Sequence, residues 1–225
     1  MTAWALQPQE VLSDKRLRLH EADFTPLPVV RRFLDAAPYY ASWEDEPERV
    51  IDPAAGAGAW CVGMRELWPD AEIDAIEIRE EESEHLARNT DWAHIGDALE
   101  WAKAYKGKSY NLACTNPPFT RFAEFAEAFL DIAFDVWLFA PVDIMLRAKE
   151  KAAWLRANAH RVKHVLWLPE PVSFREGGAV DQRQYALWMF TNGVTSARYG
   201  WPVTLLEPLS GAERRWKTRP GTEVG

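Results

Sequence analysis

Short apolar runs alternate with helix-like patterns from Arg49 onward, and this alternation restricts the fold more than any other feature of the sequence. Strands that alternate with helices join through right-handed crossovers, which gives a parallel sheet covered by helices on both faces. The predicted strands are Arg49–Asp52, Glu72–Ile78, His94–Gly96, Asn111–Thr115, Val136–Phe139, Val162–Leu168 and Tyr185–Phe190. The predicted helices are Ala59–Trp68, Glu80–Asn89, Ala98–Ala104, Arg121–Phe134 and Arg147–Asn158.

The last two predicted strands are joined by PEPVSFREGGAVDQRQ, a segment with no convincing helix pattern. We expect a hairpin here, so one edge strand should run antiparallel to the rest. The predicted fold class is therefore α/β, with a doubly wound, mostly parallel seven-stranded sheet and an antiparallel edge strand. In sheets of this type the ligand lies beyond the carboxyl ends of the strands.

The composition suits one full-sized domain, because 48% of the 225 residues are hydrophobic. No apolar run is long enough to cross a bilayer, and the first residues lack the pattern of a signal peptide. With only Cys61 and Cys114, neither a disulfide framework nor a cysteine zinc site is supported. We therefore expect a soluble cytoplasmic protein with no membrane partner and no metal.

Charge is distributed unevenly along the chain, although the net value of −8 alone argues against a nucleic-acid partner. The stretch from Tyr40 to Glu100 holds 17 acidic and 4 basic residues. Basic residues gather later, at Arg147, Lys149, Lys151, Arg156, Arg161 and Lys163, and again at Arg214, Arg215, Lys217 and Arg219. Such a surface is compatible with phosphate binding, and a solvated helix face is the alternative interpretation.

Three predicted strand ends carry residues suited to a ligand. Asp52 closes the first strand and is followed by Gly56 and Gly58, which permit close approach of a ligand to the backbone. Glu77 ends the second strand and could accept both hydroxyl hydrogens of a ribose. Asp97 follows the third strand, where it could either cap the next helix or accept from the amine of an adenine.

Each of these signals is weak alone, because a glycine turn, an exposed acid and a helix cap are all common. Their order along the sheet is more informative, since an adenosine-bearing ligand without phosphates would use all three. Three carboxylates in one pocket also disfavour a polyphosphate and favour a cation such as a sulfonium.

The fourth strand breaks into Asn116-Pro117-Pro118-Phe119, which leaves an amide and an aromatic ring at its end. A simple turn is the alternative interpretation of this tetrapeptide. The tetrapeptide nevertheless resembles the catalytic motif of S-adenosylmethionine-dependent methyltransferases that act on planar amino nitrogens. FTPLPVV (Phe24–Val30) is similar to the segment that closes over the cofactor in that family, and VLWLPEPVSFREGGAVDQRQYALWMF (Val165–Phe190) to the segment around the target base.

The tetrapeptide, these two segments and the three strand ends, in their order along the chain, most resemble the DNA adenine-N6 methyltransferases of phages and the modification subunits of type I restriction systems. The resemblance covers nearly the whole chain and implies a Rossmann-like class I methyltransferase fold. It implies S-adenosyl-L-methionine as cofactor, S-adenosyl-L-homocysteine as product and methylation of adenine N6 in DNA. The implied cofactor residues are Thr25, Pro26, Asp52, Pro53, Ala54, Gly56, Gly58, Glu77, Ile78, Asp97, Ala98 and Asn116.

The resemblance also assigns catalytic roles to Asn116, Pro117, Pro118 and Phe119. The Asn116 side-chain oxygen and the Pro117 carbonyl would accept the two amine hydrogens, while the prolines keep the backbone fixed. Phe119 would stack on a base extruded from the duplex, and Phe174 is expected to form a second wall of its pocket.

The predicted organisation is a single domain, residues 1–225. It has an N-terminal segment that closes over the cofactor (1–48), a catalytic core (49–192) and a C-terminal extension (193–225). The 35 residues after Phe190 leave no room for the usual target-recognition region. Sequence choice is therefore expected from short loops, the basic tail, a specificity subunit or oligomerisation, or the enzyme has low specificity.

Two other interpretations stay open at this point. One is a methyltransferase that acts on an RNA base (adenine N6 or guanine N2) or on a protein glutamine with the same tetrapeptide. The other is a non-catalytic, cofactor-binding subunit of a modification complex. Pseudo-enzymes of that kind commonly lose the asparagine or the cofactor acid, and both are intact here.

Overall fold

The structure is a computed structural model that describes residues 25–41, 43, 45–144, 149–174, 183–193, 195 and 202–206. Within these residues eight strands form one sheet in the order β3-β2-β1-β4-β5-β7-β6-β8. The strands are β1 (Arg49–Asp52), β2 (Glu72–Glu77), β3 (Trp92–Ile95), β4 (Tyr110–Thr115), β5 (Ala133–Pro141), β6 (Val162–Pro171), β7 (Gln184–Thr191) and β8 (Val203–Leu205).

The sheet confirms the predicted fold class and the predicted hairpin, because β6 and β7 pair antiparallel while β1 to β5 are parallel. Two details of the prediction are wrong. An eighth strand, β8, pairs parallel with β6, and the antiparallel strand β7 lies between β5 and β6 instead of at an edge. The physical reason is visible in β7 itself, which is buried from Tyr185 to Thr191 and so needs neighbours on both sides.

Six α-helices lie within the described residues. They are α1 (Leu27–Ala36), α2 (Ala59–Leu67), α3 (Ser83–Leu86), α4 (Ala98–Ala104), α5 (Phe122–Leu130) and α6 (Lys149–Ala157). The helix predicted after β2 is shorter than expected, because the acidic run Glu80–Glu82 forms a 3-10 turn before α3. The helix predicted to reach Phe134 ends at Leu130, because β5 begins at Ala133 and pairs there with Tyr110.

The core has two layers, one on each face of the sheet. On one face α1 and α2 pack over strand residues such as Trp137 and Phe139, and on the other α4 and α5 cover Val136 and Leu138. The alternation of these four residues along β5 follows the two-residue period of a strand.

Helices α1 and α2 lie close together at Gly63. A Cβ placed on Gly63 would come within 2.6 Å of Val30 Cγ1 and 2.9 Å of Leu34 Cδ1. The absence of a side chain at this position therefore sets the distance between the two helices.

A partly exposed ionic cluster ties the strands together at the amino end of the sheet. The Arg49 guanidinium pairs with Glu72 at 2.9 Å and with Asp74 at 3.1 Å, and Tyr110 donates to Asp74 at 2.6 Å. Burial raises the pKa of Asp74 in spite of the hydrogen bond from Tyr110. This cluster lies at the opposite end of the strands from the predicted ligand residues, so its role is structural.

In the part of the chain that the structure describes, no helix combines the length and apolar character needed to cross a membrane. The same residues contain no group of three or more histidine, cysteine or acidic side chains that could hold a metal ion.

Candidate active site

The loop between β1 and α2 forms the centre of the site. Gly56 and Gly58 adopt positive φ angles of 56° and 83°, a region that side chains disfavour, and Gly58 precedes the first residue of α2. The turn is fixed by backbone hydrogen bonds from Ala55 to Ile76 at 3.0 Å and from Gly58 to Ala55 at 2.8 Å. The two glycines thus give the loop the tight shape that the sequence predicts.

Asp52 lies beneath this loop and is fully buried. Its carboxylate accepts hydrogen bonds from the Ala54 amide at 3.2 Å and from the Cys61 thiol at 3.8 Å. Burial raises the pKa of Asp52 to about 7, and the charge of Glu77 adds to this, while the hydrogen bond from the Ala54 amide opposes it. Asp52 therefore titrates near neutral pH.

Glu77 at the end of β2 is in direct contact with the glycine loop. The Gly56 amide donates to Glu77 Oε2 at 2.7 Å, and the side chain is 4% exposed. Its other oxygen, Oε1, accepts from the Arg79 amide at 3.0 Å and from Arg79 Nε at 2.7 Å. Glu77 considered singly could be an ordinary exposed acid, which is the alternative to its predicted cofactor role, but the structure shows a buried acid held in a fixed orientation.

Asp97 caps helix α4, as the sequence suggests. Its Oδ1 accepts from the amides of Leu99 at 2.8 Å and Glu100 at 3.1 Å, and its Oδ2 pairs with Arg121 at 3.0 Å. Partial burial alone would raise the pKa of Asp97, but Arg121 and the two backbone donors outweigh it and lower the pKa. The cap is therefore confirmed, and contact with an adenine stays a prediction.

The ends of β2 and β3 are adjacent, because the Gly96 amide donates to the Glu77 carbonyl at 2.8 Å. Ile78 follows Glu77 at this edge and is 49% exposed, unusual for a large apolar side chain in this fold. Ala98, next to Asp97, is buried. An exposed aliphatic side chain between two acids offers a surface on which a planar ring could lie.

The tetrapeptide continues from β4 at the same edge of the sheet, since β4 pairs with β1 in the register Ile51↔Ala113. The side-chain oxygen of Asn116 is buried, and Pro117 is buried beside it. Pro118 accepts from the Arg121 amide at 2.8 Å, which closes a 3-10 turn over Phe119–Arg121. The tetrapeptide is therefore a constrained turn beside the glycine loop.

Phe119 belongs to an aromatic cluster formed by Phe119, Phe139, Phe174 and Tyr185. Tyr185 is in its middle, stacked on Phe139 at 5.0 Å, edge-on to Phe174 at 4.9 Å and 6.2 Å from Phe119. The Lys151 ammonium donates to the Phe119 carbonyl at 2.7 Å. The structure thus brings both predicted base-pocket residues, Phe119 and Phe174, against one buried tyrosine that the sequence did not single out.

Thr25 and Pro26 lie at the start of α1, on the same side of the sheet as this aromatic cluster. The Trp60 indole donates to the Thr25 hydroxyl at 3.3 Å, and the Trp60 ring is 5.9 Å from Phe139. The Pro26 carbonyl accepts from the amides of Val29 and Val30, which begins the helix. Thr25 is therefore fixed to the helix that follows the glycine loop.

Several sequence predictions lie outside the described residues. These are Phe24, the greater part of the residue 1–48 segment, positions 175–182 of the predicted base-pocket segment, Arg147, and the four tail residues Arg214, Arg215, Lys217 and Arg219. The structure adds four residues at the site that the sequence did not suggest, Arg79, Arg121, Arg183 and Tyr185, and it places Lys151 of the predicted basic group beside Phe119. Arg121, Arg183 and Tyr185 contact partners far away in sequence, so local pattern carries no signal for them, whereas Arg79 pairs with Glu77 two residues earlier.

Comparison with known proteins places this arrangement among known folds, although no family model matches the chain. Over 57 residues, 25% of the chain, the sequence is 33% identical to the type II methyltransferase M.XamI of Xanthomonas campestris pv. amaranthicola. That match spans only 10% of M.XamI.

Solved structures match over much more of the chain. A Listeria monocytogenes protein assigned to the class I S-adenosylmethionine-dependent methyltransferases aligns with a TM-score of 0.59 and 12% identity, covering 84% of this chain and 67% of its own. The M protein of the type I restriction enzyme EcoKI aligns with a TM-score of 0.61 and 13% identity, covering 81% of this chain and 48% of its own. The fold is that of the class I methyltransferases.

The class I methyltransferase fold agrees with the position of the site, because the glycine loop, Glu77, Asp97 and the tetrapeptide all follow the carboxyl ends of parallel strands. The chain spans about half the length of the EcoKI M protein and a tenth of M.XamI.

Proposed function

We propose that this protein binds S-adenosylmethionine at the ends of β1, β2 and β3 and methylates the exocyclic N6 amine of adenine in DNA. One observation carries the proposal. The Gly56 amide donates to the Glu77 carboxylate at 2.7 Å. The turn Asn116-Pro117-Pro118-Phe119 follows β4, which pairs with β1, so it lies at the same edge of the sheet. A nucleoside-binding element and an amine-binding element are thereby adjacent.

The residues at the strand ends fit the proposed cofactor. The glycine loop has no side chains at its two left-handed positions, so a ligand can approach its backbone. Glu77 would accept the ribose hydroxyls, and Asp97 or Ile78 would contact the adenine. The carboxylates of Glu77 and Asp97 favour the positive charge of a sulfonium, since opposite charges attract strongly at partly buried sites, and Asp52 adds to this in its ionised form. The bound cofactor would supply the methyl group as an electrophile.

The tetrapeptide fits an amino nitrogen conjugated to a ring, which is a poor nucleophile because its lone pair is delocalised. The Asn116 side-chain oxygen and the Pro117 carbonyl would accept its two hydrogens and turn the lone pair towards the methyl donor. Positioning and preorganised dipoles provide most of the rate enhancement in such a site, and no strong base is needed. Pro117 and Pro118 hold the carbonyl in place because their φ angles are fixed.

DNA is supported as the substrate by the relatives and by local charge. M.XamI is a type II methyltransferase, and the EcoKI M protein belongs to a type I restriction enzyme. In this chain the Lys151 ammonium donates to the Phe119 carbonyl and the Arg183 guanidinium lies 5.6 Å from the Phe119 ring, so two cations lie beside this ring, which is the proposed base platform. Phe119 would stack on the extruded base, which stabilises it by about 1–3 kcal/mol.

The test measures methyl transfer to three substrates in parallel: unmethylated DNA, RNA and a glutamine-bearing protein. After incubation with a labelled methyl donor, nucleosides from the digested DNA are separated by mass spectrometry, and we expect N6-methyladenosine as the deoxynucleoside. The variant Asn116→Ala serves as the control for a contaminating enzyme.

Label in RNA or glutamine alone would overturn the DNA assignment. Calorimetry with S-adenosylhomocysteine tests the other interpretation, a non-catalytic subunit that binds the cofactor. Binding of the cofactor product without transfer to any of the three substrates would support a non-catalytic subunit instead.

A further inference from the structure

The guanidinium of Arg183 lies against the aromatic rings at the proposed base platform. Its Cζ is 5.6 Å from the centroid of the Phe119 ring and 5.7 Å from that of Tyr185. Both distances fall within the range at which a guanidinium binds the face of an aromatic ring. Because the two rings are 6.2 Å apart, one guanidinium contacts both of them.

Most of the surface of these two rings is already used by the protein. Tyr185 has no exposed surface, and Phe139 and Phe174 cover it from two directions. Phe119 is half-buried and packs against the cores on both faces of the sheet. Arg183 therefore covers part of the small ring surface that is left for a ligand.

A guanidinium and a purine base resemble each other in the properties that a ring recognises. Both are planar, both carry N–H donors at their edge, and both stack on aromatic faces. A base stacked between Phe119 and the guanidinium would hold the two roughly 7 Å apart, since each stacked layer adds about 3.5 Å. The observed 5.6 Å leaves no room for such a layer.

We propose that Arg183 is a cap on the base platform, displaced by the target base when substrate binds. The released guanidinium then pairs with a DNA phosphate beside the extruded nucleotide, because its planar fork of donors matches phosphate oxygens. This inference rests on the proposed function, since it takes the extruded base as the occupant of the platform.

Two substitutions at Arg183 separate the cap from the phosphate contact. Arg183→Lys keeps the positive charge but loses the planar group, and Arg183→Ala loses both. Arg88, which is exposed and lies outside the basic group described above, provides the matched control, Arg88→Lys. Each variant methylates unmethylated genomic DNA, either native or heat-denatured, and its thermal unfolding is recorded to verify folding.

On denatured DNA, whose bases are already unpaired, we expect Arg183→Lys to raise kcat/KM by up to about 5-fold, because a strongly hydrated, non-planar ammonium competes less with the base for the ring face. On native DNA we expect Arg183→Ala to lower kcat/KM and to flatten its salt dependence, since one phosphate contact is gone. Equal losses for both variants on both forms of DNA would overturn the proposal.

A second measurement does not depend on turnover. In NMR spectra of the wild-type protein, ring currents should displace the Arg183 side-chain signals from their usual positions. These signals should return towards those positions in Phe119→Leu, and also when single-stranded DNA is added with S-adenosylhomocysteine. If DNA binds without moving the Arg183 signals, the proposal that Arg183 caps the platform is wrong. If the signals move but no methylation occurs, that proposal holds and the proposed activity is refuted.

Discussion

The two halves of the site, at the ends of β1–β3 and at the Asn116–Phe119 turn, are built from different kinds of chemical groups. At the ends of β1, β2 and β3, charged and backbone atoms hold each other through directional hydrogen bonds, such as Gly56 to Glu77 at 2.7 Å and Leu99 to Asp97 at 2.8 Å. At the carboxyl ends of β4 and β5 and the start of β7, two prolines and a packed group of aromatic rings take the place of these hydrogen-bonded groups. Cations lie beside the rings.

This difference suggests how each half recognises its ligand. The first half has fixed acceptors, so it suits a ligand whose hydroxyl and amine groups must be met at defined points. The second half offers aromatic ring faces and a buried amide oxygen, so it suits a planar ring that binds by stacking. Substitutions should therefore separate cofactor affinity from methyl transfer.

The sharpest separation is expected from Asn116→Ala. Loss of one preorganised acceptor should reduce kcat by about 100- to 1,000-fold, by analogy with the loss of a single oxyanion-hole donor. Affinity for S-adenosylhomocysteine, measured by calorimetry, should stay nearly unchanged. A parallel loss of affinity would show that Asn116 belongs to the cofactor half, contrary to its proposed role.

The buried charge of Asp52, in the half of the site proposed to bind the cofactor, can be tested through the pH dependence of stability. Its pKa is raised from 3.8 to about 7 in the folded protein, so the folded state binds a proton more tightly than the unfolded state. The contribution of Asp52 to the free energy of unfolding is then fully present below about pH 4 and is lost as pH rises to about 7, by up to about 4 kcal/mol. Asp52→Asn should remove this fall, which urea unfolding at pH 4.5 and pH 7.5 would measure. Identical pH dependence in the variant would contradict the raised pKa.

Glu77→Ala should weaken S-adenosylhomocysteine binding by about 10- to 100-fold, because a charged acceptor of ribose hydroxyls contributes about 1.5–3 kcal/mol. The matched control is Glu80→Ala, which removes the same charge from an exposed residue three positions later. Equal effects of the two variants would mean that the overall acidity of the region matters, and not the placement of Glu77.

Phe119→Ala is expected to have the smallest effect and the one that depends most on substrate. The ring should matter more for native duplex, where it offsets the loss of stacking, than for denatured DNA, with a difference of about 5-fold or more. The ratio of kcat/KM on the two forms measures it. A uniform decrease would argue against extrusion of the base.

Much of the fold could be predicted from the sequence, because strand–helix alternation carries a periodic signal. The ends of β1 at Asp52 and of α4 at Ala104 are as predicted. The three-residue strand β8 was missed because Val203–Leu205 is largely exposed and too short to show a pattern. The place of β7 inside the sheet depends on pairing between distant residues, which periodicity does not encode.

The candidate site divides in the same way. Asp52, Glu77 and Asp97 could be found because the carboxyl ends of parallel strands meet at one edge. Arg79, whose guanidinium pairs with Glu77 at 2.7 Å, and Tyr185, which joins Phe119 to Phe174, could not be found. Their contacts depend on rotamers and on sheet register, both of which exist only in the folded chain.

Gly63 has a consequence beyond the packing of two helices. Helix α1 begins just after Thr25, whose hydroxyl accepts from Trp60 of α2, so the spacing of these helices also determines where Thr25 lies. A single methyl group at position 63 would meet Val30 at 2.6 Å and act as a wedge. Because the proposed cofactor site includes Thr25, we expect Gly63→Ala to alter cofactor affinity through the spacing of two packed helices.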